Sequence, residues 1–567
     1  MKTFRVAIAQ QNMIVGDIDY NAAQIISAIG AARDRGADVV VFSELAVTGY
    51  PPEDLLFKPD FIAKNEEAIG AIARQTRDIA AIVGFVQKDA DIFNAAALLE
   101  RGEIKAVYRK RSLPNYGVFD EERYFSAGEK GLRIHIGDFT IGVLICEDMW
   151  NSALDFGSGD ALVVINASPF SVSKRMARSE LLAARARDLR TFVIYANAIG
   201  AQDELVFDGA SAIYDPRGKP LAVAKSFEED MLICDLDLED SFRVRLKDGR
   251  VRAMRRGVTI EAPTLSLTLS DRSKTDLAAR IEAPLSENAA IYEALKLGLK
   301  DYMRKNGFTK ATLGLSGGVD SALCAAIAAD ALGAENVLGV LMPSPFSSEA
   351  SVEDALRLAQ NLQIPTRTIA ITTLMNTYDE ALKPLFEGTK RDLTEENLQS
   401  RIRGVLLMAI SNKLGYLVLS TGNKSEMSVG YSTLYGDLCG GFAPIKDVLK
   451  TTVYELCRYR NQSSEVIPQR VLEKAPSAEL RENQQDQDDL PPYELLDQII
   501  RLYIEEDFSL KEIDDMGYDR LITRKIAALI KRSEYKRFQA PIGTKISDRA
   551  FGRDRRMPVT HCYKESL

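Results

Sequence analysis

The sequence predicts two α/β domains in tandem, joined by a charged connector. Its 567 residues exceed the length of one ordinary domain. Short apolar runs alternate with amphipathic helical stretches through both halves. In the second half a glycine turn stands between an apolar run and a helix, the order of a doubly wound parallel sheet with its ligand at the strand ends. These observations place the domains at residues 1–240 and 286–567, with 241–285 between them.

Composition narrows the class before any motif is read. A hydrophobic content of 46% and a charged content of 27% describe a globular chain with ample core. A net charge of −9 speaks against a general nucleic-acid or membrane-surface binder, so phosphate-binding cations must be local. The six cysteines, at 146, 234, 324, 439, 457 and 562, form no C-x-x-C and indicate neither a disulfide framework nor a zinc site. Phe4 to Ala9 is too short for a signal peptide, and no apolar stretch approaches a membrane span. A cytoplasmic setting is the expectation. Only two histidines occur: His135 alternates with Ile134 and Ile136, and His561 is near the chain end. Hydrolytic chemistry must then find its base elsewhere.

In the first half, residues 4–10, 38–43, 79–85, 140–145, 161–167 and 192–198 read as buried strands, with helices over Asn21 to Arg35 and Lys174 to Arg190. Three reactive residues fall at the ends of apolar runs: Glu44, Lys110 and Cys146. Strand ends are where α/β folds gather catalytic groups. A cysteine can serve as nucleophile, a carboxylate as its base, and a lysine can stabilise thiolate and oxyanion, all without histidine. Taken singly, each has an ordinary reading as core cysteine or solvated edge.

The words around them resemble the nitrilase superfamily. Phe42-Ser43-Glu44-Leu45, Lys110-Arg111-Ser112-Leu113-Pro114-Asn115-Tyr116 and Ile145-Cys146-Glu147-Asp148 are similar to its three motifs in order and spacing, over residues 3–240. The resemblance implies an αββα sandwich in which Cys146 attacks a carboxamide, Glu44 is general base and Lys110 helps the oxyanion. A second glutamate of the family falls at Glu121 or its neighbour Glu122. Gly49 to Leu55, Asn166-Ala167-Ser168-Pro169-Phe170 and Gln202 to Gly209 are similar to the glutaminase branch, which implies that Tyr116, Ser168 and Lys174 contact glutamine.

Between the halves, periodicity fades and charge rises: Arg243, Arg245, Lys247, Arg250, Arg252, Arg255 and Arg256, punctuated by Pro263 and Pro284. This stretch reads as a connector.

The second half opens on a phosphate trap. Ala311 to Leu315 reads as a strand and Ser321 to Leu332 as a helix, with Ser316-Gly317-Gly318-Val319-Asp320 as the turn. Converging N–H groups and the helix dipole favour an anion there, and glycines let phosphate oxygens come close. Ser316 and Ser321 add hydroxyls, and Asp320 is placed to hold Mg2+. Strands over Asn336 to Met342, Thr366 to Ile371 and Tyr416 to Leu419, with helices over Ser351 to Leu362 and Gln399 to Leu414, complete the doubly wound sheet. Thr421 to Glu426 follows the last of these strands, and Glu426 can share the metal with Asp320. Arg481 to Asp489 reads as an exposed or mobile loop.

No Walker A loop and no G-x-G-x-x-G occurs. Gly314-Leu315-Ser316-Gly317-Gly318-Val319-Asp320-Ser321 instead resembles the loop of the PP-loop ATP pyrophosphatases, which implies ATP as co-substrate. Gly430 to Asp437, Ala443 to Lys450, the set Glu395, Asn397, Gln399, Arg401, Arg403 and Gly404, and Ser533 to Arg537 are similar to NAD synthetases over residues 287–540. Carried over, Thr421 contacts ATP, Asn397, Glu426 and Lys536 contact deamido-NAD, and Asp437 and Lys450 are further site residues. Tyr535 stands where short ammonia-only members often carry histidine. A glutaminase ahead of such a domain implies a glutamine-dependent NAD synthetase that also accepts ammonia and is a dimer or larger. The rival is a PP-loop amidotransferase of another carboxylate. Arg549, Arg553, Arg555 and Arg556 near the end read as a solvated tail or a reach toward phosphate.

Overall fold

A computed structural model describes residues 3–136, 139–151, 159–249, 264–267 and 277–563. The chain forms two compact units, Met1–Gln202 with Val206–Leu285, and Asp203–Leu205 with Ser286–Leu567. Among the described residues no helix is long and apolar enough to cross a membrane.

The first unit is built on two large sheets. Six strands form one: β1 (Phe4–Gln10), β2 (Val39–Val41), β3 (Ala80–Lys88), β4 (Ile92–Glu100), β5 (Glu103–Arg109) and β14 (Asp230–Leu236), in the order β14-β1-β2-β3-β4-β5. The other orders β13 (Pro220–Val223), β12 (Ala212–Tyr214), β9 (Phe192–Asn197), β8 (Ala161–Asn166), β7 (Phe139–Ile145), β6 (Leu132–Ile136) and β15 (Thr264–Leu267). β10 (Ile199–Gln202) and β11 (Leu205–Asp208) make a separate pair.

Side-chain alternation explains the layering. Val6, Ile8, Val39, Val41 and Ile82 share one apolar cluster with strands of the second sheet, including Val143, Val163 and Ile194. Their neighbours Ala7, Ala9, Val40, Ala81 and Val83 pack instead with Ile25, Ile29, Ile69 and Ile72, on helices Ile18–Asp34 and Pro59–Ala73. Leu182 and Ala186 of helix Lys174–Leu189 join the first cluster. The result is a helix–sheet–sheet–helix stack.

Part of the stretch read as a connector belongs to this unit. Thr264–Leu267 pairs in parallel with β6, and helix Glu239–Leu246 precedes it. Four residues are too few to show a period, so the sequence could not announce that strand. Arg250, Arg252, Arg255, Arg256 and Pro263 lie outside the described residues.

The second unit carries a parallel sheet of β16 (Ala311–Gly314), β17 (Val337–Leu341), β18 (Thr366–Thr368) and β19 (Leu417–Val418), ordered β18-β17-β16-β19. The chain steps outward from β16 to β18 and then returns to the other side of β16. That reversal opens a crevice beyond the carboxyl end of β16, where doubly wound sheets bind ligands. Helix Val319–Leu332 packs on β16 and β17, and helix Leu393–Leu414 on β16 and β19. The latter starts six residues before the expected Gln399, because Asp392 and Glu395 form a capping box.

Candidate active sites

In the first unit three strand exits converge. Glu44 lies just past β2, Lys110 follows β5 directly and Cys146 follows β7 directly. Lys110 Nζ donates to Glu44 Oε1 at 2.7 Å and to Glu121 Oε1 at 2.8 Å. Lys110 and Glu44 expose no side-chain surface. Of the two neighbouring glutamates, Glu121 is buried and meets Lys110, whereas Glu122 is exposed.

Second partners fix these carboxylates. Asn94 Nδ2 donates to Glu44 Oε1 at 2.7 Å, the Ala167 N–H donates to Glu44 Oε2 at 2.9 Å, and Tyr50 OH donates to Glu121 Oε1 at 2.9 Å. The Glu44 turn crosses β3 at Gly84, where a Cβ would lie 2.4 Å from Ser43 O and Leu45 N. Only glycine fits there.

Cys146 itself adopts a left-handed φ of 44° and opens the short 3-10 turn Cys146–Met149. Such strain in a non-glycine residue persists where surroundings hold it. Here Asp148 does so, accepting from Ile145 N at 3.1 Å, Ser112 N at 2.8 Å, Arg111 N at 3.1 Å and Tyr108 OH at 2.7 Å. One buried carboxylate thus ties the cysteine turn to the segment after Lys110.

Burial pushes the Cys146 thiol well up, and Glu44 adds to the effect, while Lys110 and Lys174 oppose it. The resting thiol therefore keeps its proton and needs a base. Burial alone would weaken the Lys110 ammonium, but Glu121 and Glu44 reverse this and hold it well above the ordinary lysine range. Burial raises the Glu121 carboxyl to about 7 against the pull of Lys110.

The expected glutamine contacts surround this cluster. Tyr116 is exposed and donates its hydroxyl to Glu147 Oε2 at 2.9 Å. Ser168 is buried, its hydroxyl makes no hydrogen bond of ordinary geometry, and its N–H donates to Asn197 Oδ1 at 3.0 Å. Lys174 Nζ stands 5.4 Å from the Phe119 ring centroid, and its charge is felt at both Cys146 and Glu147.

In the second unit the loop Gly314–Ser321 closes on itself. Ser321 Oγ donates to Gly318 O at 2.9 Å and lies 3.1 Å from Ser316 Oγ, which accepts from Gly318 N at 3.2 Å. Gly317 has φ 78°, and a Cβ there would lie 2.3 Å from Ser351 O. Gly318 caps the helix Val319–Leu332 with no side-chain hydrogen bond, so its first N–H groups face outward.

Asp320 and Glu426 meet at one ammonium. Lys450 Nζ donates to Asp320 Oδ2 and, at 3.4 Å, to Glu426 Oε1. Asn423 Nδ2 donates to Asp320 Oδ1 at 2.8 Å. Burial, with Asp320 beside it, raises the Glu426 carboxyl to about 8. Among the described residues no cluster of three or more His, Cys, Asp and Glu is placed to hold a metal. Two convergent carboxylates still suit magnesium, which binds phosphate-bearing sites through one or two carboxylates and leaves the rest to phosphate and water.

A cavity of about 250 Å³ occupies the crevice beyond β16. Gly314, Leu315, Ser316, Thr421, Asp437 and Arg403 are among its lining residues. Asn397, Asp437 and Lys536 gather around residues 430–437. Asn397 Oδ1 accepts from Thr433 Oγ1 at 2.7 Å, Asp437 accepts from Thr433 N at 2.6 Å, and Lys536 Nζ donates to Gly430 O and Ser432 O at 2.8 and 2.7 Å. Burial raises the Asp437 carboxyl to about 6.

Several site residues escaped sequence reasoning. Asn94 had a signal, a lone amide inside the apolar run of β4. Arg403, which the sequence gives no role, is half-buried, donates to Met342 O at 3.1 Å, and desolvation lowers it to about 10. The tract Arg481 to Asp489 is not wholly exposed, because Gln484 and Asp486 are buried and Asp486 Oδ2 accepts from Tyr493 OH at 2.9 Å. Its many charges hid that contact. Of the terminal arginines, Arg549 pairs with Asp507, and Arg555 pairs with Glu534 at 2.6 Å, so neither is a free solvated tail.

Residues 5–245 match the carbon-nitrogen hydrolase family and residues 291–540 the NAD synthase family. The chain is 49% identical to the glutamine-dependent NAD(+) synthetase of Thermotoga maritima over 582 residues, covering 100% of each. Identity is also 49% to that of Aquifex aeolicus, covering 98% of this chain and 99% of the relative. A solved glutamine-dependent NAD+ synthetase from Acinetobacter baumannii, in complex with ADP, is 39% identical with a TM-score of 0.75 over 100% of both chains. One from Cytophaga hutchinsonii, 21% identical with a TM-score of 0.81 over 98% of both, shares the fold.

Proposed function

The chain belongs to the glutamine-dependent NAD(+) synthetases, and from that premise we propose how its residues divide the reaction. Glutamine is hydrolysed to glutamate and ammonia in the first unit. In the second, ATP activates deamido-NAD and ammonia converts it to NAD. The observation that carries the residue assignment is the buried Lys110 held between Glu44 and Glu121 beside the strained Cys146.

Glu44 takes the Cys146 proton, and the sulfur attacks the glutamine amide carbon. The oxyanion that forms lies against the Lys110 ammonium, a fixed positive charge in a water-poor site. The proton passes to the leaving nitrogen, the C–N bond breaks, and ammonia departs from a thioester. Water, deprotonated by Glu44, then frees glutamate and the thiol. Glutamine carries one ammonium and one carboxylate, and the site offers a partner for each: the half-buried Glu147 carboxylate and Lys174. Tyr116 and Ser168 supply hydroxyls.

In the second unit the nicotinate carboxylate of deamido-NAD attacks the α-phosphorus of ATP. Pyrophosphate leaves into the N–H groups of the loop Gly314–Ser321, and ammonia then displaces AMP from the acyl carbon. Asp320 and Glu426 would hold magnesium, which would screen phosphate charge when bound. Lys450 adds a further cation. Thr421 faces ATP from the cavity wall, and Asn397, Asp437 and Lys536 face deamido-NAD.

The chain acts as a homo-oligomer through its synthetase unit. Helix Thr372–Phe386 has no buried residue and exposes Leu374, Tyr378, Leu385 and Phe386, and helix Leu393–Leu414 exposes Leu393, Val405 and Met408. All six cysteines are free, which suits the reducing cytoplasm.

The test is NAD formation from deamido-NAD and Mg-ATP, with glutamine or with ammonium, for wild type and Cys146→Ala. Loss of the glutamine reaction with the ammonium reaction intact assigns Cys146. Absence of NAD from either nitrogen source in wild type removes deamido-NAD as the substrate.

A further inference from the structure

One buried ion pair of the first unit takes no part in the steps above. Arg178 Nη1 and Nη2 donate to Asp208 Oδ1 and Oδ2 at 2.9 and 2.6 Å, a two-pronged contact with both side chains nearly sealed from solvent. Such pairs add little net stability, because desolvating both charges offsets their attraction. What they do fix is direction, through the planar fork of the guanidinium.

The two ends of this fork lead to the glutamine pocket. Arg178 stands one helical turn after Lys174 on helix Lys174–Leu189, so the two share a face. On the other side, Asn197 Nδ2 donates to Asp208 Oδ1 at 3.4 Å and to Gly209 O at 2.9 Å. Asn197 Oδ1 in turn accepts the Ser168 N–H at 3.0 Å. The preceding N–H, of Ala167, is held by Glu44. Two successive peptides of this loop are therefore fastened, one to the catalytic carboxylate and one to the chain that ends at Arg178. The loop is also tied to β11 by Phe170 N donating to Val206 O at 2.7 Å.

We propose that the Arg178–Asp208 pair is a positioning device for glutamine, holding Lys174 and Ser168 at one spacing across the pocket. The inference rests on the reading of those two residues as glutamine contacts. Arg178 and Asp208 touch no reacting atom. Their loss should weaken recognition of the amino-acid end of glutamine and spare the nucleophile.

Two variants test this. Arg178→Met with Asp208→Leu removes both charges and leaves no unpaired charge, while Asn197 keeps Gly209 O and Ser168 N–H as partners; Arg178→Lys keeps the charge but loses the fork. Three readouts are compared with wild type: ammonium-dependent NAD formation, the rate at which iodoacetamide alkylates Cys146 (followed on its own peptide), and the glutamine concentration that protects Cys146. The double variant is expected to keep the ammonium reaction and the alkylation rate within about twofold, while KM and the protecting concentration of glutamine rise about tenfold with a smaller change in kcat. Arg178→Lys should show a rise of about threefold in both. An unchanged glutamine KM in the folded double variant overturns the proposal. Slower alkylation in step with turnover does too, since it would place the pair under the nucleophile. If the double variant does not fold, an unchanged KM in Arg178→Lys overturns it equally. Failure of glutamine to protect Cys146 in wild type overturns the underlying glutamine site instead, and the two failures are thereby told apart.

Discussion

Each unit of the molecule holds a lysine between two carboxylates, and the two clusters differ in how far they are closed. Lys110 and Glu44 expose nothing, whereas Asp320 and Glu426 beside Lys450 remain 17% and 19% exposed. In the proposed mechanism the closed set acts on an uncharged amide group, so its charges can be sealed where low dielectric makes them strongest. In the same proposal the other set exchanges partners when nucleotide phosphates arrive. A sealed lysine could not. Asp320 and Glu426 keep part of their surface in solvent, and the helix that follows Gly318 starts without a side-chain cap.

The largest expected effects come from removing either lysine. Lys110→Met should lower glutamine hydrolysis by about 10²-fold or more and leave the ammonium reaction intact. It strands two buried carboxylates and should destabilise the first unit by about 3 kcal/mol. Lys450→Met should lower NAD formation from both nitrogen sources by about 10²-fold and spare glutaminase activity. Its loss in stability should be smaller, because Asp320 and Glu426 can reach water. Equal shifts in denaturant midpoint for the two variants would break the contrast.

Next come the two glycines under the sites. Gly84→Ala drives a methyl into the backbone beside Glu44, and Gly317→Ala into Ser351 O with an unfavourable φ as well. Each should cost about tenfold in its own unit's reaction and nothing in the other's. Measuring both activities on both variants tests this, and a crossed loss would show that the sites are not independent in this respect.

The smallest effect concerns pH. The folded Asp437 carboxyl titrates near 6 against an ordinary value of 3.8, because burial penalises its charge. Between those values the folded state keeps a proton that the unfolded state has released, so stability falls as pH rises through that window. Asp437→Asn should flatten this slope in thermal melts followed from about pH 4 to 6.5, by a few degrees. A wild-type slope of opposite sign would rule out burial as the dominant influence.

Much of both candidate sites was legible because their residues sit at strand ends. The apolar run before Cys146 and the strand–glycine–helix order at Gly314–Ser321 are local patterns, and local patterns survive in sequence. Asn94, Asp148 and Arg403 are different. Asn94 matters because Glu44, 50 residues away, meets its amide, and Asp148 because Ser112, 36 residues away, donates to it. The strand at Thr264–Leu267 is too short to carry a period at all.

The sequence by itself determined the two-part α/β architecture and the reactive residue types at the mouths of their strands, since periodicity and turn chemistry depend on neighbours a few residues apart. Only the tertiary structure decided that Glu121 and not Glu122 faces Lys110, that Cys146 is bent into a left-handed turn, and that Arg178 and Asp208 meet in a buried two-pronged pair. These depend on burial, and burial is decided by segments far apart in the chain that come together only on folding.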